Sequence, residues 1–294
     1  MKKYIFCYVV IISEVLGRWG LAQNPDQAKS WYDKGRSAYL RFMSDDYKTA
    51  LSYYERSIAA DSNYAPAFAG KAEALTLLAL EKEQNGLAAE ADFTHALRSA
   101  QQATAKKPDQ NLGYRALAQV YLNMDSKTYG EKAHDALQRA IELDSTDAES
   151  YFLLWLLTEN DKPNSPLLRL SLKLDPNSFQ THYALGQYWS RNKQPDKAID
   201  EYKLCTRINP DNYRSYYSLG NVYSQIKRYD MAAEEYEKAI AINKNLYEAY
   251  FYVGVAYYYL DKNKKAKQRL SQYIEMQPNP KYKLQAEQLL MDMK

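Results

Sequence analysis

The chain has 294 residues, 46% of them apolar, with 29 tyrosines against 7 phenylalanines and a formal net charge of +3. The apolar residues are mainly Ala, Leu and Tyr, and this composition favours helices over a large sheet. Without residues 1–22 the chain has 36 basic and 35 acidic side chains. A nearly neutral body gives no electrostatic argument for nucleic acid, which normally needs a basic face, so we do not expect nucleic acid as a partner.

Residues 1–22 have the layout of a secretory signal peptide. Two lysines precede nine apolar residues at 4–12, and Gly20 and Ala22 place small residues before a cleavage point at Gln23. The apolar run is shorter than the roughly 20 residues that span a bilayer, so we expect no stable membrane span. This pattern predicts export to the periplasm or the medium. The alternative is an amphipathic tail on a cytoplasmic protein.

From residue 28 onward, apolar residues recur at the three- and four-residue spacing of amphipathic helices. The helices come in pairs, and the first three pairs, hairpins 1 to 3, occupy residues 28–64, 65–110 and 111–147. Hairpin 2 holds extra residues around TLLALEKEQNGLAAE. We favour an extension of its first helix, and a long binding loop is the alternative.

Residues 148–178, hairpin 4, depart most from this pattern. Trp155 stands where two crossing helices require a small residue. Either it opens the hairpin and bends the array there, or it fills the volume left by a displaced second helix. Ser165 followed by Pro166 predicts a helix N-cap and the first helical position.

Hairpins 5 to 7 occupy three stretches of 34 residues, 179–212, 213–246 and 247–280. Numbered from 1 within each stretch, position 8 is always glycine and position 20 always alanine, while positions 4 and 11 are aromatic or histidine. Small residues at positions 8 and 20 allow two helices to cross closely. Residues 281–294 predict one further helix whose polar outer face caps the array.

The pattern W-x2-L-G-x2-Y, followed by Ala and Pro within 34 residues, resembles the tetratricopeptide repeat. The resemblance covers residues 28–280. It implies an all-α fold, a right-handed superhelical solenoid of about seven antiparallel helix hairpins plus a C-terminal capping helix. In such proteins, positions 2, 5, 9, 12 and 13 of the first helices face a concave groove. The resemblance therefore implies these partner-binding residues: Tyr183, Gln187, Arg191, Arg214, Tyr217, Asn221, Gln225, Phe251 and Tyr258.

Tyrosines interleaved with Asn, Gln and Arg suit an extended peptide, because the rings give contact area and the amides bond the peptide backbone. Stacked tyrosine faces also suit sugar rings, and each tyrosine at position 5 has the alternative of packing against the neighbouring hairpin. The family's clamp for a C-terminal carboxylate uses Lys at position 5, Asn at position 9 and Asn at position 6 of the next hairpin. Asn221 is at position 9. Tyr217 and Tyr252 hold the other places, so we do not expect that mode.

The sequence predicts no catalytic or metal site and no cofactor. His95, His134 and His182 lie 39 and 48 residues apart, without metal-binding spacing. His182 takes the place of a core aromatic, and Cys205 takes a position for small residues, so we expect both to be buried. Phosphate-binding loops and nucleophile elbows are also missing from the sequence.

These patterns together predict a non-catalytic scaffold or adaptor that binds a protein or extended peptide in the concave groove. The alternative is a glycan-binding or structural component of the cell envelope. Self-association is open at this stage.

Overall fold

The computed structural model describes residues 23–124, 126–276 and 282–293, which form fifteen α-helices and no strand. The predicted all-α helical-repeat fold is confirmed. The predicted signal peptide at residues 1–22 and the helix stop at Pro278 lie outside the described residues. No helix in the described part of the chain is long and apolar enough to cross a membrane.

The chain divides into two compact units between Leu157 and Thr158. The N-terminal unit contains hairpins 1 to 3 and the first helix of hairpin 4. The extra residues of hairpin 2 extend its first helix to Gln84, as we favoured from the sequence. The helices are α1 Pro25–Tyr39, α2 Ser44–Ala60, α3 Ala65–Gln84, α4 Glu90–Lys106, α5 Asn111–Met124, α6 Ser126–Leu143 and α7 Ala148–Thr158.

The C-terminal unit contains one short helix, hairpins 5 to 7 and a final helix. The short helix begins as predicted, because the Ser165 hydroxyl accepts from the backbone N–H groups of Leu167 and Leu168 and Pro166 is the first helical residue. The helices are α8 Pro166–Leu174, α9 Phe179–Arg191, α10 Pro195–Ile208, α11 Tyr213–Gln225, α12 Tyr229–Ile242, α13 Tyr247–Tyr259, α14 Asn263–Glu275 and α15 Lys283–Asp292.

A left-handed residue at position 15 closes the turn between the two helices in four of the hairpins. The φ angles are 56°, 55°, 60° and 56° at Phe42, Lys193, Lys227 and Asp261. In hairpins 5 to 7 the next backbone N–H bonds back to the carbonyl of position 11, as Gln194 does to Trp189 at 2.9 Å. Such a bond is typical of a helix C-terminus that is followed by one residue in the left-handed conformation. The turn geometry therefore repeats although the turn sequences do not.

In hairpins 5 and 6 the glycine at position 8 makes room for a tyrosine from the second helix of the same hairpin, and in hairpin 7 Gly254 makes room for Leu270. A Cβ added to Gly186 would lie 2.6 Å from the Tyr202 ring, and one added to Gly220 would lie 2.8 Å from the Tyr236 ring. Both tyrosines are buried. The close crossing predicted from Gly and Ala is therefore filled by the side chain at position 24, a tyrosine ring in hairpins 5 and 6 and Leu270 in hairpin 7.

The two side chains predicted to belong to the core are buried. Cys205 is buried, and burial raises the pKa of its thiol to about 12. His182 is buried at position 4 in place of a tyrosine. Trp155 is 1% exposed, and its ring lies 5.9 Å from that of Phe152 within the N-terminal unit.

The outer face of the final helix differs from the prediction. α15 buries Ala286 and Met293, but Leu284 is 78% and Met291 52% exposed. The predicted polar outer face is therefore wrong at these two positions. They lie seven residues apart and share one side of the helix.

Candidate partner-binding surface

The residues that the resemblance implied for binding lie on α9, α11 and α13, and we call this surface of the C-terminal unit the first-helix face. Gln187, Arg191 and Gln225 are exposed. Half-buried are Tyr183, Arg214, Tyr217, Asn221 and Tyr258.

Phe251 is a correction to the predicted set. Its side chain is 2% exposed. Its ring stacks on Tyr282 with the centroids 4.7 Å apart, and it lies 5.4 Å from Tyr273. Tyr282, just before α15, and Tyr273 on α14 enclose the ring, so Phe251 belongs to the core and has no surface to offer a partner.

Successive first helices contact each other through position 5 of one and position 6 of the next. The Tyr183 hydroxyl lies 3.1 Å from Ser218 Oγ, and the Tyr217 ring lies 6.2 Å from the Tyr252 ring. Tyr252 in turn donates its hydroxyl to that of Tyr282 at 3.0 Å. These side chains form a continuous row across α9, α11 and α13.

Tyr183 and Tyr217, both at position 5, pack against the tyrosines at position 24 of the second helices. Tyr183 meets Tyr202 edge to face at 5.6 Å, and Tyr217 meets Tyr236 at 5.8 Å. Burial raises the pKa of Tyr183 and of Tyr217 above the usual value for a phenol. Both hydroxyls are therefore neutral at physiological pH, and each can donate and accept a hydrogen bond.

Asn221 at position 9 is oriented by the same tyrosines. Its Oδ1 accepts from the Tyr236 hydroxyl at 2.7 Å. The amide N–H groups are the donors of this side chain, and their bond to the Tyr217 hydroxyl acts to lower the pKa of that phenol, although burial outweighs it. A donor fixed in this way suits the carbonyl groups of an extended chain.

The charges of this surface differ from one helix to the next. Arg191 on α9 is exposed, and its Nε donates to the Gln187 carbonyl at 3.4 Å. Arg214 lies close enough to Tyr183 to favour its phenolate, although burial outweighs this effect. Glu248 on α13 acts in the opposite sense on Tyr217. The surface is therefore basic at hairpins 5 and 6 and carries an acidic group at hairpin 7.

In the N-terminal unit the corresponding positions hold a buried charge network centred on Glu73, which is 1% exposed. Glu73 accepts from Arg36 at 2.8 Å and, through its other oxygen, from Nε and Nη2 of Arg115 at 3.1 and 2.8 Å. Arg115 Nη1 also lies 2.9 Å from Asp147 and 3.3 Å from Glu149. Each guanidinium thus joins carboxylates from more than one hairpin.

The network shifts the pKa values of Arg115 and Glu149. Burial opposes the charge of Arg115, but Glu149, Glu73 and Asp147 outweigh it and hold the pKa of the guanidinium well above its usual range. Burial raises the pKa of Glu149, and the attraction of Arg115 offsets this only in part. Glu149 therefore binds a proton at a higher pH than an ordinary glutamate does, because its pKa is raised.

Sequence reasoning missed this network, although the register contained its signal. Arg36 and Glu73 stand at position 9 of hairpins 1 and 2, Arg115 at position 5 of hairpin 3, and Glu149 at position 2 of hairpin 4. These are groove positions in the resembled family. In the N-terminal unit they bond to one another, which engages their charged groups within the unit.

Both ring nitrogens of His182 face acceptors. Nδ1 lies 2.7 Å from Glu201 Oε2 on α10, and Nε2 lies 3.0 Å from the Pro176 carbonyl before α9. Only the imidazolium ring can donate to both. Burial acts to lower the pKa of His182, but the bonds to Glu201 and Pro176 outweigh it and raise the pKa above its ordinary value.

This geometry predicts a pH-dependent contribution to stability. A raised histidine pKa adds stability that is fully present below the unfolded value of about 6.5 and is lost as the pH rises through the folded pKa. Glu201→Gln is expected to cost about 1.5–3 kcal/mol at pH 6 and progressively less towards pH 9. Urea unfolding of both proteins across this range measures the difference. A cost that stays constant with pH would contradict the imidazolium assignment.

The described residues hold no group of three His, Cys, Asp or Glu side chains that would bind a metal ion. His95 and His134 lie on the second helices α4 and α6. The buried Cys205 is a thiol at physiological pH, because its pKa is raised.

The helix hairpins and their first-helix faces define a helical-repeat protein. Tetratricopeptide repeat family models match residues 179–212 and 213–246, the bounds of hairpins 5 and 6. Hairpins 5 and 6 are therefore tetratricopeptide repeats, a fold that generally serves as a scaffold for protein–protein interaction. No curated protein sequence matches the chain.

Three solved structures illustrate the similarity. YrrB, described as a TPR protein with an unusual peptide-binding site, is 20% identical, with a TM-score of 0.50 over 65% of this chain and 99% of its own. The APC/C hetero-tetramer Cut9-Hcn1 is 14% identical, with 0.55 over 96% and 58%. The human IFIT1 dimer with m7Gppp-AAAA is 16% identical, with 0.61 over 84% and 58%. This chain therefore spans little more than half of the last two, and the likeness shows the fold alone.

Proposed function

We propose that the first-helix face of the C-terminal unit binds an extended segment of a partner protein, without catalysis. The observation that carries the proposal is the row of neutral tyrosines flanked by outward amides. Tyr183 and Tyr217 are half-exposed, Asn221 is oriented by Tyr236, and Gln187 and Gln225 are exposed. A peptide in extended form presents alternating carbonyl and N–H groups that amides and phenols can satisfy.

The contrast with the N-terminal unit supports the same surface. There the first-helix positions are occupied by buried ion pairs, whereas in the C-terminal unit they hold polar side chains that reach solvent. Aromatic anchors with adaptable polar groups between them are characteristic of protein-binding surfaces. The description of YrrB as a peptide-binding TPR protein adds a precedent for the fold.

Gln187→Ala combined with Gln225→Ala is expected to weaken peptide binding by about 5- to 150-fold, since each neutral hydrogen bond contributes about 0.5–1.5 kcal/mol. A ligand is first selected by the purified protein from a random peptide library, and its affinity is then measured by fluorescence anisotropy. Both glutamines are exposed, so the variant retains the fold.

Gln138→Ala combined with Gln268→Ala is the matched control, because both residues are exposed glutamines on second helices. Equal losses in the two double variants would rule out the first-helix face. Selection of oligosaccharides but no peptide from parallel arrays would replace the proposal by the glycan-binding alternative.

Export is part of the proposal and rests on residues 1–22 alone. Mass spectrometry of the protein recovered from the envelope or medium of its host tests it, since processing leaves Gln23 as the first residue. Recovery of the unprocessed chain from the cytoplasm would overturn it.

A further inference from the structure

Positions 9, 12 and 13 of the first helices in the C-terminal unit lie at the end of each helix that leads into the turn. Their spacing of three and four residues places the three side chains on one side of the helix. All nine side chains are half-buried or exposed. We call this set the turn-side row, and it consists of Gln187, Ser190 and Arg191, then Asn221, Ser224 and Gln225, then Val255, Tyr258 and Tyr259.

The chemistry of the turn-side row changes in one direction along the unit. Hairpin 5 contributes the cation Arg191, hairpin 6 contributes only neutral polar side chains, and hairpin 7 contributes only valine and tyrosines. Glu248, the acidic group of α13, lies outside the row at position 2, ten residues and about 15 Å along the helix from Tyr258. The row is therefore basic at one end and apolar at the other.

Arg191 forms the basic end of the row. Its side chain is exposed, and the bond from its Nε to the Gln187 carbonyl keeps the guanidinium beside α9. None of the ion pairs within the described part of the C-terminal unit includes Arg191. A guanidinium presents its N–H donors as a planar fork that matches a carboxylate. This end of the row therefore suits an acidic side chain.

The aromatic residues at the other end of the row are held by one another. Tyr259 is 56% exposed and stacks on Tyr229, the first residue of α12, with the centroids 4.6 Å apart. Tyr258 meets Tyr259 edge to face at 5.6 Å, and Val255 lies one helical turn before them. Rings that are already fixed lose little freedom on binding and offer apolar contact area. This end therefore suits a large apolar side chain.

The separation of the two ends sets a spacing for the partner. One first helix, α11, lies between α9 and α13, and packed helices are about 10 Å apart, so the ends are about 20 Å apart. An extended chain rises about 3.3 Å per residue, so about six residues cover that distance. The neutral polar side chains of hairpin 6 lie along the way.

We propose that the segment bound at the first-helix face carries an acidic side chain that pairs with Arg191 and, about six residues away, a large apolar side chain that packs on Tyr258 and Tyr259. This inference rests on the proposed peptide-binding function and adds the chemistry and register of the partner. A segment displaced by one hairpin would place its carboxylate against Gln225 and lose the ion pair. The row thus selects both the two side chains and their spacing.

Peptides selected by the purified protein from the random library test the pattern. They are expected to share Asp or Glu and a large apolar residue about five to seven positions apart. Arg191→Glu is expected to select Lys or Arg in place of the acidic residue, with the apolar residue at the same spacing. Selected peptides without a shared acidic residue, or an unchanged selection by Arg191→Glu, would overturn the inference.

Two substitutions give the ends of the row the residue types that hairpin 6 has at the same positions. Arg191→Gln is expected to weaken binding of a selected peptide about 2- to 5-fold, as for an exposed ion pair. Tyr258→Ser is expected to weaken it about 5- to 30-fold, as for loss of an aromatic anchor. Arg207→Gln, at an exposed arginine of the second helix α10, is the matched control and is expected to leave affinity unchanged.

Altered peptides show whether each substitution acts through the proposed contact. The loss from Arg191→Gln is expected to vanish for a peptide whose acidic residue is replaced by its amide. The loss from Tyr258→Ser is expected to shrink for a peptide whose apolar residue is replaced by Ala. Equal losses with the original and the altered peptides would refute the contacts.

Failure of this inference is distinguishable from failure of the proposed function. If the library yields no peptide, both fall together. If peptides bind and require Gln187 and Gln225 but are indifferent to Arg191→Gln and Tyr258→Ser, peptide binding stands and the proposed pattern is overturned.

Discussion

Replacing Arg115 by Met is expected to lower the free energy of unfolding of the N-terminal unit by about 3–5 kcal/mol. Arg115 is 5% exposed and provides the cationic partner for Glu73, Asp147 and Glu149. Its loss leaves these buried carboxylates with Arg36 as the remaining cation of the network, and an uncompensated buried charge is costly. Hydrogen exchange of α3 and α5, together with urea unfolding, measures the loss.

Lys71→Met provides the matched control for this prediction. Lys71 pairs with Glu55 at 3.0 Å, but the two side chains are 28% and 55% exposed. An ion pair of that kind contributes about 0–1 kcal/mol. If Arg115→Met cost no more than Lys71→Met, the network would not stabilise the fold as we describe.

The pH dependence of the Arg115→Met variant follows from the same network. Burial already raises the pKa of Glu149, and removal of Arg115 removes the main effect that opposes this rise. A carboxyl whose folded pKa is raised destabilises the fold above that pKa and ceases to do so once it is protonated. The cost of Arg115→Met is therefore expected to shrink as the pH falls from 7 towards 4.

The helices were predictable from the sequence because the repeat itself is a packing rule. Glycine at position 8 and alanine at position 20 mark a close crossing, and the 34-residue interval fixes where each helix begins. The Ser165 cap was predictable for a local reason, since the hydroxyl and the following proline act on neighbouring backbone groups. Both the capping residues and the repeat period can be recognised directly in the amino-acid sequence.

The closure of the turns was not predictable from residue types. Phe42, Lys193, Lys227 and Asp261 adopt a left-handed conformation without being glycine. A conformation that costs about 1–2 kcal/mol for such residues is imposed by the two helices that the turn joins. The four residues share position 15 of their hairpins, but their residue types differ, so the sequence shows no common turn motif.

The site was predictable in its positions and not in its exposure. Register alone placed Phe251 and Tyr217 at the same position 5, yet Tyr282 covers Phe251 while Tyr217 stays half-exposed. The pairing of Arg36 with Glu73 was likewise not predicted from the sequence. The two residues are 37 apart and lie on successive first helices. The exposure of a side chain thus depends on how neighbouring helices pack, which the repeat register does not specify.

Gly220→Ala is expected to lower the free energy of unfolding of the C-terminal unit by about 1–3 kcal/mol, the usual cost of overpacking a core. A Cβ at this position would lie 2.8 Å from the Tyr236 ring. That ring is fully buried between Tyr217 and Tyr252, and its hydroxyl is bonded to Asn221. It has no space to move into, so the helices must separate or the Asn221 bond must break. Urea unfolding followed by circular dichroism measures the loss.

Gly130→Ala separates this steric cost from the effect of glycine on the helix itself. Gly130 lies within α6, and a Cβ added there meets nothing within 4 Å. This substitution is therefore expected to stabilise the protein by about 0.5–1 kcal/mol, because alanine loses less conformational freedom in a helix than glycine. The two substitutions have opposite predicted signs although the residues exchanged are identical. Stabilisation by Gly220→Ala would show that Tyr236 does not fill the crossing, and the account of why glycine recurs at position 8 would fail with it.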